Sequence, residues 1–424
     1  MQIKLIRRFW LTLLLFGSLA TGRASSILIP MDETQTNHLK AYGLAYWILT
    51  KSSEVEWLLN YRGGSFLFAY QTAFESELRV RGISYQVISD AQAAQITAQI
   101  SAPDANMDVM KLEKPPKIAV YSPKSKQPWD DAVTLVLNYA EIPYDIVFDD
   151  EVMDGLLPKY DWLHLHHEDF TGQYGKFYRT HGHTAWYKAQ QREFEICAKK
   201  YGFPKVSQLK LSVVKKIRDF CGGGGFVFAM CSAADTYDIA LAADGVDICE
   251  SIYDGDPADP NAQQKLDYSK TFAFRNFALN RDPFDYEYSN IDNQIYERPV
   301  SENTDFFTLF QFSAKWDPIP TMLTQNHQSV VKGFLGQTTG FKKSLLKPDV
   351  VLMGESKSIA EAKYIHGVFG KGTWTFYGGH DPEDYQHQVG EEPTDLNLHP
   401  NSAGYRLILN NILFPAAKKK KQKT

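Results

Sequence analysis

Cysteine is scarce in this chain, which has four of them among 424 residues. So few cysteines exclude the class of small secreted proteins that are built on a disulfide scaffold. Cys221 and Cys231 stand at opposite ends of a predicted strand, and the extended backbone between them disfavours a bridge. We therefore expect Cys231 to be free, either as a reactive thiol or as a buried side chain.

An excess of either charge is also missing. The formal net charge is −5, which argues against a nucleic-acid-binding protein because such proteins carry a strongly basic surface. The densest basic run lies in residues 415–424, which we interpret as a disordered, solvated tail.

Long apolar runs are absent beyond the N-terminus, so we expect no transmembrane segment in the mature chain. At the N-terminus, three basic residues precede an apolar run from Phe9 to Ala20, and small residues follow it. This order predicts a secretory signal peptide over residues 1–24, with cleavage after Ala24. We expect an exported protein, periplasmic or extracellular.

Strand and helix signals alternate along most of the chain, which predicts an α/β architecture with a parallel or mixed sheet. The pattern is lost before Lys114–Pro116, so we place an N-terminal α/β unit at residues 25–113 and a larger domain at 117–414. Residues 251–347 are rich in Asp, Asn, Tyr and Phe and show weak periodicity. We interpret them as an insertion with β-structure and long loops.

The most informative segment has the order glycine turn, apolar strand, cysteine, helix. Phe226–Met230 is the predicted strand, and Cys231 follows it directly. Several α/β enzymes hold a nucleophile at such a strand-to-helix turn. The helix N-terminus is expected to lower the pKa of the thiol, and the backbone amide of Ser232 is a candidate donor to an oxyanion.

A histidine and several carboxylates follow a second, much later strand. His380 ends the run Gly378–His380, and Asp381, Glu383 and Asp384 come next. Because the carboxyl ends of parallel strands converge on one sheet edge, His380 and Cys231 can meet there. A cysteine nucleophile needs a base, and the base needs a carboxylate that orients its ring. Any of the three carboxylates is a candidate for that role.

These elements resemble the class I glutamine amidotransferase-like superfamily. The likeness rests on the strand–cysteine–helix unit, the strand ending at His380 and a closing helix near residues 403–414, and Phe369–Pro382 is particularly similar to the ThuA-like branch. It covers about residues 117–250 and 348–414. It implies a flavodoxin-like, doubly wound, mostly parallel sheet.

The same resemblance implies a chemistry. In active amidotransferases of this superfamily the cysteine forms a glutamyl thioester and ammonia leaves, so Cys231 would be the nucleophile and His380 the base. The chain departs from the family motifs, since Ala229–Ala233 replaces Gly-x-Cys-x-Gly and Glu383 stands at His-x-x-Glu spacing. The leading hypothesis is a cysteine-dependent amidase or glutaminase-type hydrolase that uses Cys231, His380 and either Asp381 or Glu383.

The chain is also similar to a group of exported bacterial proteins that carry the name asparagine synthetase B. Asn60–Phe66 and His164–Gln173 suggest that group. Neither the N-terminal-cysteine glutaminase nor the Ser-Gly-Gly-x-Asp-Ser loop of ATP-dependent asparagine synthetases is visible here. The resemblance therefore implies membership of the group that carries this name, but not ATP-driven asparagine synthesis.

A histidine-rich strand end supplies a second candidate site. His164 and His166 share one face of a predicted strand, and His167, Glu168 and Asp169 follow it. Imidazole and carboxylate ligands suit Zn²⁺, Mn²⁺ or Fe²⁺, so a divalent metal on His164, His166 and Glu168 is one reading. A polar ligand-binding loop formed by His166, His167, Glu168 and Asp169, together with Ser232, is another.

Three hypotheses remain open from the sequence. The first is the cysteine-dependent hydrolase, for which no cofactor is expected. The second is a non-catalytic protein that binds a small molecule or a carbohydrate at the same edge, consistent with the aromatic residues of the insertion. The third is a metal-dependent hydrolase at His164, His166 and Glu168.

Overall fold

The first sheet is built from the N-terminal third of the chain. The computed structural model describes residues 24–125, 127–292 and 298–418. Residues 1–23 of the signal peptide predicted over 1–24, and residues 419–424 of the tail predicted over 415–424, lie outside them. The strands of this sheet are β1 (Ala24–Ile29), β2 (Val55–Leu59), β3 (Ser65–Ala69), β4 (Gln86–Ser89) and β5 (Asp108–Leu112). Their order is β4-β1-β3-β2-β5.

All pairings in this first sheet are antiparallel. The alternation of strand and helix signals predicted a parallel or mixed sheet for residues 25–113, and that prediction is wrong. The turn at Arg62–Gly64 explains part of the difference, because its three residues all have positive φ and fold β2 back on β3.

The second sheet contains the strands that build the site. Its parallel strands are β6 (Ile118–Tyr121), β7 (Asp145–Val147), β8 (Trp162–Leu165), β9 (Phe226–Met230) and β15 (Gly372–Tyr377). They lie in the order β7-β6-β8-β9-β15. Strand β9 has the bounds that the sequence predicted for it.

Antiparallel strands extend this sheet beyond β15. They are β14 (Glu361–Phe369), β13 (Val351–Ser356), β10 (Phe306–Leu309) and β11 (Val330–Lys332), and β12 (Phe341–Lys342) pairs with β14. A hairpin turn joins β14 to β15, because Phe369 pairs with Gly372 and Gly370 has a φ of 61°. The whole is a mixed α/β fold.

Helices pack on both faces of the second sheet. Those in the described residues are α1 (His38–Thr50), α2 (Thr72–Val80), α3 (Asp90–Ser101), α4 (Ala132–Tyr139), α5 (Asp149–Met153), α6 (Tyr178–His181), α7 (Ala185–Lys200), α8 (Val206–Gly223), α9 (Ala233–Ala242), α10 (Ser251–Asp254), α11 (Ala262–Lys265), α12 (Pro318–Leu323) and α13 (Ala403–Leu413). None of these helices combines the length and apolar character required to cross a membrane.

The side-chain alternation of the strands separates two cores. Ile118 and Val120 of β6 join a core with α1, α4 and α13, whereas Ala119 and Tyr121 join one with α7, α8 and α9. This is the period of two expected of a strand that is buried on both faces. The sheet is therefore a central layer whose strand ends alone remain free to form a site.

The two sheets share the first of these cores. Arg406 on α13 donates to the hydroxyl of Tyr42 on α1 at 3.1 Å and to the carbonyl of Met31 at 2.8 Å. Beyond α13, the Lys418 amide donates to the Lys111 carbonyl at 2.8 Å, alongside β5. The boundary near residues 113–117 thus separates the two sheets but not their packing.

The segment 251–347 contains the β-structure and long loops that its composition predicted. Strands β10, β11 and β12 come from its described residues, as do three short α-helices. Asp238 on α9 fixes its first part, because its carboxylate accepts hydrogen bonds from the backbone amides of Phe272, Ala273 and Phe274 at 2.6–2.9 Å. Its last part returns to the sheet edge where β9 and β15 end.

Candidate active site

The turn after β9 carries Cys231 in a left-handed backbone conformation. Its φ is 49°, which is rare for a residue other than glycine and costs about 1–3 kcal/mol. The Cys231 amide donates to the Gly379 carbonyl at 3.0 Å, which ties the turn to the end of β15. Helix α9 begins at Ala233, two residues later. The sequence-predicted strand-to-helix turn is therefore present.

The end of β15 brings His380 next to this turn. A ring nitrogen of His380 and the Cys231 sulfur belong to a group of ligand atoms that all lie within 4.8 Å of one another. His380 is 1% exposed, and neither of its ring nitrogens has a hydrogen-bond partner. Buried ring nitrogens are normally satisfied, so this arrangement marks His380 as a residue poised for another contact.

A loop at the end of the 251–347 segment forms the third side. The His380 amide donates to the Leu335 carbonyl at 2.8 Å, and the Gly379 amide donates to the Thr338 carbonyl at 2.7 Å. The approach is so close that a Cβ at Gly336 would lie 2.8 Å from the backbone nitrogen of His380. The insertion therefore contributes part of the site wall.

The end of β8 supplies three histidines. Asp131 Oδ2 lies 3.2 Å from His164 Nε2 and 3.3 Å from His166 Nδ1. His166 and His167 stack with ring centroids 4.0 Å apart, and His167 Nε2 is 2.7 Å from the Asp130 carbonyl. These contacts leave His166 Nε2 buried without a partner.

Two aspartates between β6 and α4 complete the set. Asp131 is the N-cap of α4, since its Oδ1 accepts from Val133 and Thr134 at 2.8 and 2.9 Å while Oδ2 faces the histidines. Asp130 Oδ1 lies 3.9 Å from His380 Nε2 and 3.6 Å from His387 Nδ1. One short loop thus supplies both carboxylates of the site.

A small cavity opens over the thiol. Its volume is about 110 Å³, and Cys231, His167, His380 and Gln337 line it. Three aromatic side chains, Trp129, Phe177 and Tyr286, also line it, together with Leu335, Gly336, Gln386, His387 and Val389. An engineered cavity of about 150 Å³ holds benzene, so the space over the thiol suits a small group.

Burial dominates the electrostatics of the thiol and its nearest base. It raises the pKa of Cys231 to about 11, although hydrogen bonds from the backbone of Gln337, Ser232 and Thr338 lower it in part. The expectation of a lowered thiol pKa from the helix N-terminus is therefore wrong. Burial also lowers the pKa of His380 well below its usual range, with smaller contributions from the neighbouring imidazoles.

The two aspartates differ. Burial raises the pKa of Asp130 to about 6. Burial would also raise the pKa of Asp131, but His164 and His166 beside it hold that pKa well below its usual range. Asp131 is therefore the fixed negative charge of the site.

Asp381 and Glu383, which the sequence predicted as candidates to orient the His380 ring, make other contacts. Glu383 Oε2 lies 3.1 Å from His399 Nδ1. Asp381 Oδ1 accepts from the Glu383 amide at 2.8 Å, which closes a local turn. The carboxylate with an oxygen 3.9 Å from His380 Nε2 is that of Asp130. Asp381 Oδ2 is buried without a hydrogen-bond partner.

Glu168 and Asp169 also leave the predicted site. Burial raises the pKa of Glu168 to about 8, and the charged groups that act on it next are Lys210, Asp149, Asp169 and Glu193. Asp169 accepts from the amides of Thr171 and Gly175 at 2.6 and 3.0 Å and shapes its own loop. Asp131 thus occupies the place beside His164 and His166 that the sequence reading gave to Glu168.

The remaining predicted residues stay at the edge. Ser232 is buried with its Oγ unpartnered, and His166 and His167 face the thiol. Sequence reasoning missed Asp130, Asp131, His387 and Gln337. The signal for the aspartates was present, because they follow the first strand of the parallel series at the edge where such strands end.

Four groups of side chains in the described residues could hold a metal at this edge. They are His166, His167, Cys231 and His380; Asp131, His164 and His166; Asp130, His380 and His387; and Asp384, His387 and Glu391. The first set offers three imidazoles and one thiol, which are ligands for Zn²⁺ and similar ions. The other three contain carboxylates that already have histidine partners.

Comparison with known proteins adds little to this picture. No protein-family model matches the chain. No curated protein gives a significant match either.

Among solved structures, the chain is similar to the cytoplasmic protein STM3548 from Salmonella typhimurium, with 9% identity and a TM-score of 0.34 over 72% of this chain and 100% of that one. It is similar to the cytoplasmic protein STM1381 from Salmonella typhimurium LT2, with 11% identity and a TM-score of 0.31 over 71% and 100%. For Gan42B, a GH42 β-galactosidase from G. stearothermophilus, the identity is 9% and the TM-score 0.27, over 63% of this chain and 28% of that one. At these TM-scores the likenesses carry no argument about fold or function.

Proposed function

We propose that this protein is an exported, cysteine-dependent hydrolase of amide C–N bonds, built on a flavodoxin-like, doubly wound sheet. Numbered along the chain, the parallel strands β7-β6-β8-β9-β15 follow the order 2-1-3-4-5 that is typical of that fold. Helices on both faces of the sheet support the same assignment. Export rests on the apolar N-terminal segment alone.

One observation carries the proposal: Cys231 stands in a left-handed turn at a sheet edge, with a ring nitrogen of His380 less than 4.8 Å from its sulfur. Catalytic hydrogen bonds are often loose before substrate binds, so this separation suits a nucleophile and its base. A cysteine used only for packing does not require the strained backbone, since a strand can end without positive φ.

The residues around Cys231 suggest the order of steps. The sulfur attacks the carbonyl carbon of the amide while His380 takes the thiol proton, and the carbonyl electrons move to the oxygen. The backbone amides of Ser232, Gln337 and Thr338, which surround the sulfur, are the candidate donors to this oxyanion. The C–N bond then breaks, and the amine leaves with the proton from His380.

A second half-reaction restores the enzyme. Water attacks the thioester carbon, its proton passes through His380 to the sulfur, and the carboxylic acid leaves. Asp130, 3.9 Å from His380 Nε2, is the negative charge that would stabilise the imidazolium of both half-reactions.

The cavity restricts what can react. A volume of about 110 Å³ fits a primary carboxamide at the end of a chain better than a peptide bond flanked by two side chains. The aromatic wall would then contact the rest of the substrate. The substrate class is therefore a small molecule with an accessible carboxamide, as in the side chain of glutamine.

The test measures ammonia release from a panel of primary amides that includes L-glutamine and L-asparagine. The protein is the chelator-treated mature chain, and the variants are Cys231→Ala and, as a matched control, Cys197→Ala on α7. A chloroketone analogue of glutamine is applied in parallel, and the labelled cysteine is identified by mass spectrometry. We expect Cys231 to be labelled, and ammonia release to require Cys231 but not Cys197.

Two results contradict the proposal. One is ammonia release that survives in Cys231→Ala. The other is absence of both turnover and labelling in a folded wild-type protein, which would favour the non-catalytic binding protein instead.

A further inference from the structure

Four ligand atoms converge at the sheet edge from three strands. They belong to His166, His167, Cys231 and His380, and all lie within 4.8 Å of one another. His166, Cys231 and His380 are 1%, 5% and 1% exposed. Side chains with nitrogen and sulfur donors are seldom gathered so closely in a protein interior unless something binds between them.

Some ring nitrogens of this group lack partners. His166 Nε2 and both nitrogens of His380 are buried without a hydrogen bond. Each buried polar atom left without a partner costs about 1–3 kcal/mol. A ligand that accepts an electron pair from His166 Nε2 and from one nitrogen of the His380 ring would recover part of that loss.

Outer contacts determine which nitrogen each histidine presents. Asp131 Oδ2 is 3.3 Å from His166 Nδ1, so Nε2 is the free atom of that ring. The Asp130 carbonyl is 2.7 Å from His167 Nε2, which leaves Nδ1 free. A carboxylate or a backbone carbonyl on the far nitrogen is the usual arrangement behind a metal-bound histidine.

From these contacts we infer that His166, His167, His380 and Cys231 form a binding site for a divalent transition metal, with Zn²⁺ as the best fit. Three imidazoles and a thiolate are borderline-to-soft ligands, which Ca²⁺ and Mg²⁺ disfavour because both prefer oxygen. Zn²⁺ bonds of about 2.0–2.3 Å place tetrahedral ligand atoms about 3.3–3.6 Å apart. The four side chains would move inward by about 1 Å.

The neighbouring group of Asp131, His164 and His166 fits a metal less well. His164 Nδ1 is 3.3 Å from the Phe228 carbonyl and Nε2 is 3.2 Å from Asp131, so both nitrogens are occupied. Asp131 also caps α4. His164 and Asp131 are therefore orienting residues behind the site, and the metal centre differs from the sequence-based set of His164, His166 and Glu168.

This inference goes beyond the proposed hydrolase and does not depend on it. On coordination the thiol gives its proton to the solvent and the sulfur becomes a metal ligand. Four protein ligands make a closed site with no position for substrate. Metal binding would thus block Cys231 reversibly.

The experiment is metal binding by the mature chain, produced without a histidine tag. The protein is stripped with a chelator and dialysed against Zn²⁺, and bound zinc is measured by mass spectrometry. We expect about one Zn²⁺ per chain. Reloading with Co²⁺ should give a thiolate-to-cobalt charge-transfer band in the near ultraviolet.

Variants locate the metal. We expect Cys231→Ser and His166→Ala to weaken Zn²⁺ binding at least ten-fold, and Cys231→Ser to abolish the charge-transfer band while its circular dichroism spectrum stays native. The matched controls are Cys197→Ala and His183→Ala, a half-buried thiol and an exposed imidazole, and both should bind as the wild type does.

The inference is wrong if the stripped wild type takes up no Zn²⁺, or if Cys231→Ser binds it with unchanged affinity. It is also wrong if Asp131→Asn abolishes binding while Cys231→Ser has no effect, because the metal would then lie at Asp131, His164 and His166. None of these results bears on ammonia release by the metal-free protein, so the two proposals fail independently.

Discussion

Two groups of buried histidines in this protein differ in whether their ring nitrogens have hydrogen-bond partners. At the junction of the two sheets, His38 Nδ1 is 3.0 Å from Asn401 Oδ1, its Nε2 is 3.1 Å from the Met31 carbonyl, and its ring stacks on His327 at 4.1 Å. At the sheet edge, neither nitrogen of His380 has a partner. Burial alone does not distinguish a functional histidine; the unsatisfied nitrogens do.

The largest effects are expected when one histidine of each group is replaced, which tests whether the two groups have different roles. We expect His380→Ala to reduce kcat/KM for the amide found in the ammonia-release panel by about 10²–10⁴-fold, because it removes the proposed general base. His38→Ala should leave kcat/KM unchanged and lower the free energy of unfolding by about 2–4 kcal/mol, because it leaves a cavity and unpaired groups. Steady-state kinetics and urea unfolding measure the two effects.

If His38→Ala lost activity while still folded, or His380→Ala lost only stability, the assignment of roles to the two groups would be wrong.

Acid should destabilise the junction through His38. Burial and then the charge of Arg406 lower the pKa of His38 to about 4, from an ordinary value of 6.5, against hydrogen bonds that raise it. The folded state thus binds the proton less readily than the unfolded state does. The stabilisation is complete above pH 6.5 and is lost as the pH falls to about 4, which amounts to about 3 kcal/mol.

Urea unfolding between pH 7.5 and 4 measures this effect. His38→Asn should reduce the slope of the unfolding free energy against pH by the share of this one group, because His327 and His366, whose pKa values burial lowers to about 3 and about 4, still contribute. The matched variant His183→Asn, at an exposed position, should keep the wild-type slope. An unchanged slope in His38→Asn would assign the acid sensitivity to the other groups alone.

Asp131 sharpens the comparison because it combines a structural and a site role in one side chain. Asp131→Asn keeps a good N-cap for α4 but loses the charge beside His164 and His166, so Zn²⁺ affinity should fall about 10–100-fold. Asp131→Ala should weaken Zn²⁺ binding similarly and lose about 1 kcal/mol more of the unfolding free energy than Asp131→Asn. Metal titration and urea unfolding of both variants separate the two roles.

Equal unfolding free energies for Asp131→Asn and Asp131→Ala would mean that the cap contributes nothing.

A last pair of variants concerns the loop behind His380. A Cβ at Gly336 would lie 2.8 Å from the backbone nitrogen of His380. A Cβ at Gly223, the last residue of α8, would have no atom within 4 Å. Gly336→Ala should cost about 1–3 kcal/mol of unfolding free energy and reduce activity further by displacing His380. Gly223→Ala should be neutral or stabilise by up to about 1 kcal/mol. Thermal unfolding compares the pair.

Local patterns in the sequence predicted the position of Cys231 well. Five apolar residues between glycine and small residues define β9, and Gly378–His380 mark the end of the later strand β15, which pairs with β9. Both signals depend only on near neighbours along the chain, so no knowledge of the tertiary structure was required.

The carboxylate nearest to His380 could not be predicted from local sequence patterns. Asp381 and Glu383 are adjacent in sequence, but the turn they form uses their own backbone and directs Glu383 to His399. Asp130 is some 250 positions distant and reaches His380 only because β6 and β15 lie in one parallel sheet. The antiparallel pairing of β1–β5 was likewise a matter of tertiary contacts, which alternation along the chain does not specify.

The loop at residues 335–340 limits how this protein can be re-engineered. Its backbone is held from one side by Asp292, whose carboxylate accepts from Thr339 and Gly340 at 2.9 Å, and from the other by the amides of Gly379 and His380. An exchange of residues 251–347 for a shorter connection would therefore remove a wall of the site as well as a surface feature. A shortened protein that keeps Cys231 and His380 would still lack the backbone contacts of Leu335 and Thr338 that hold the end of β15.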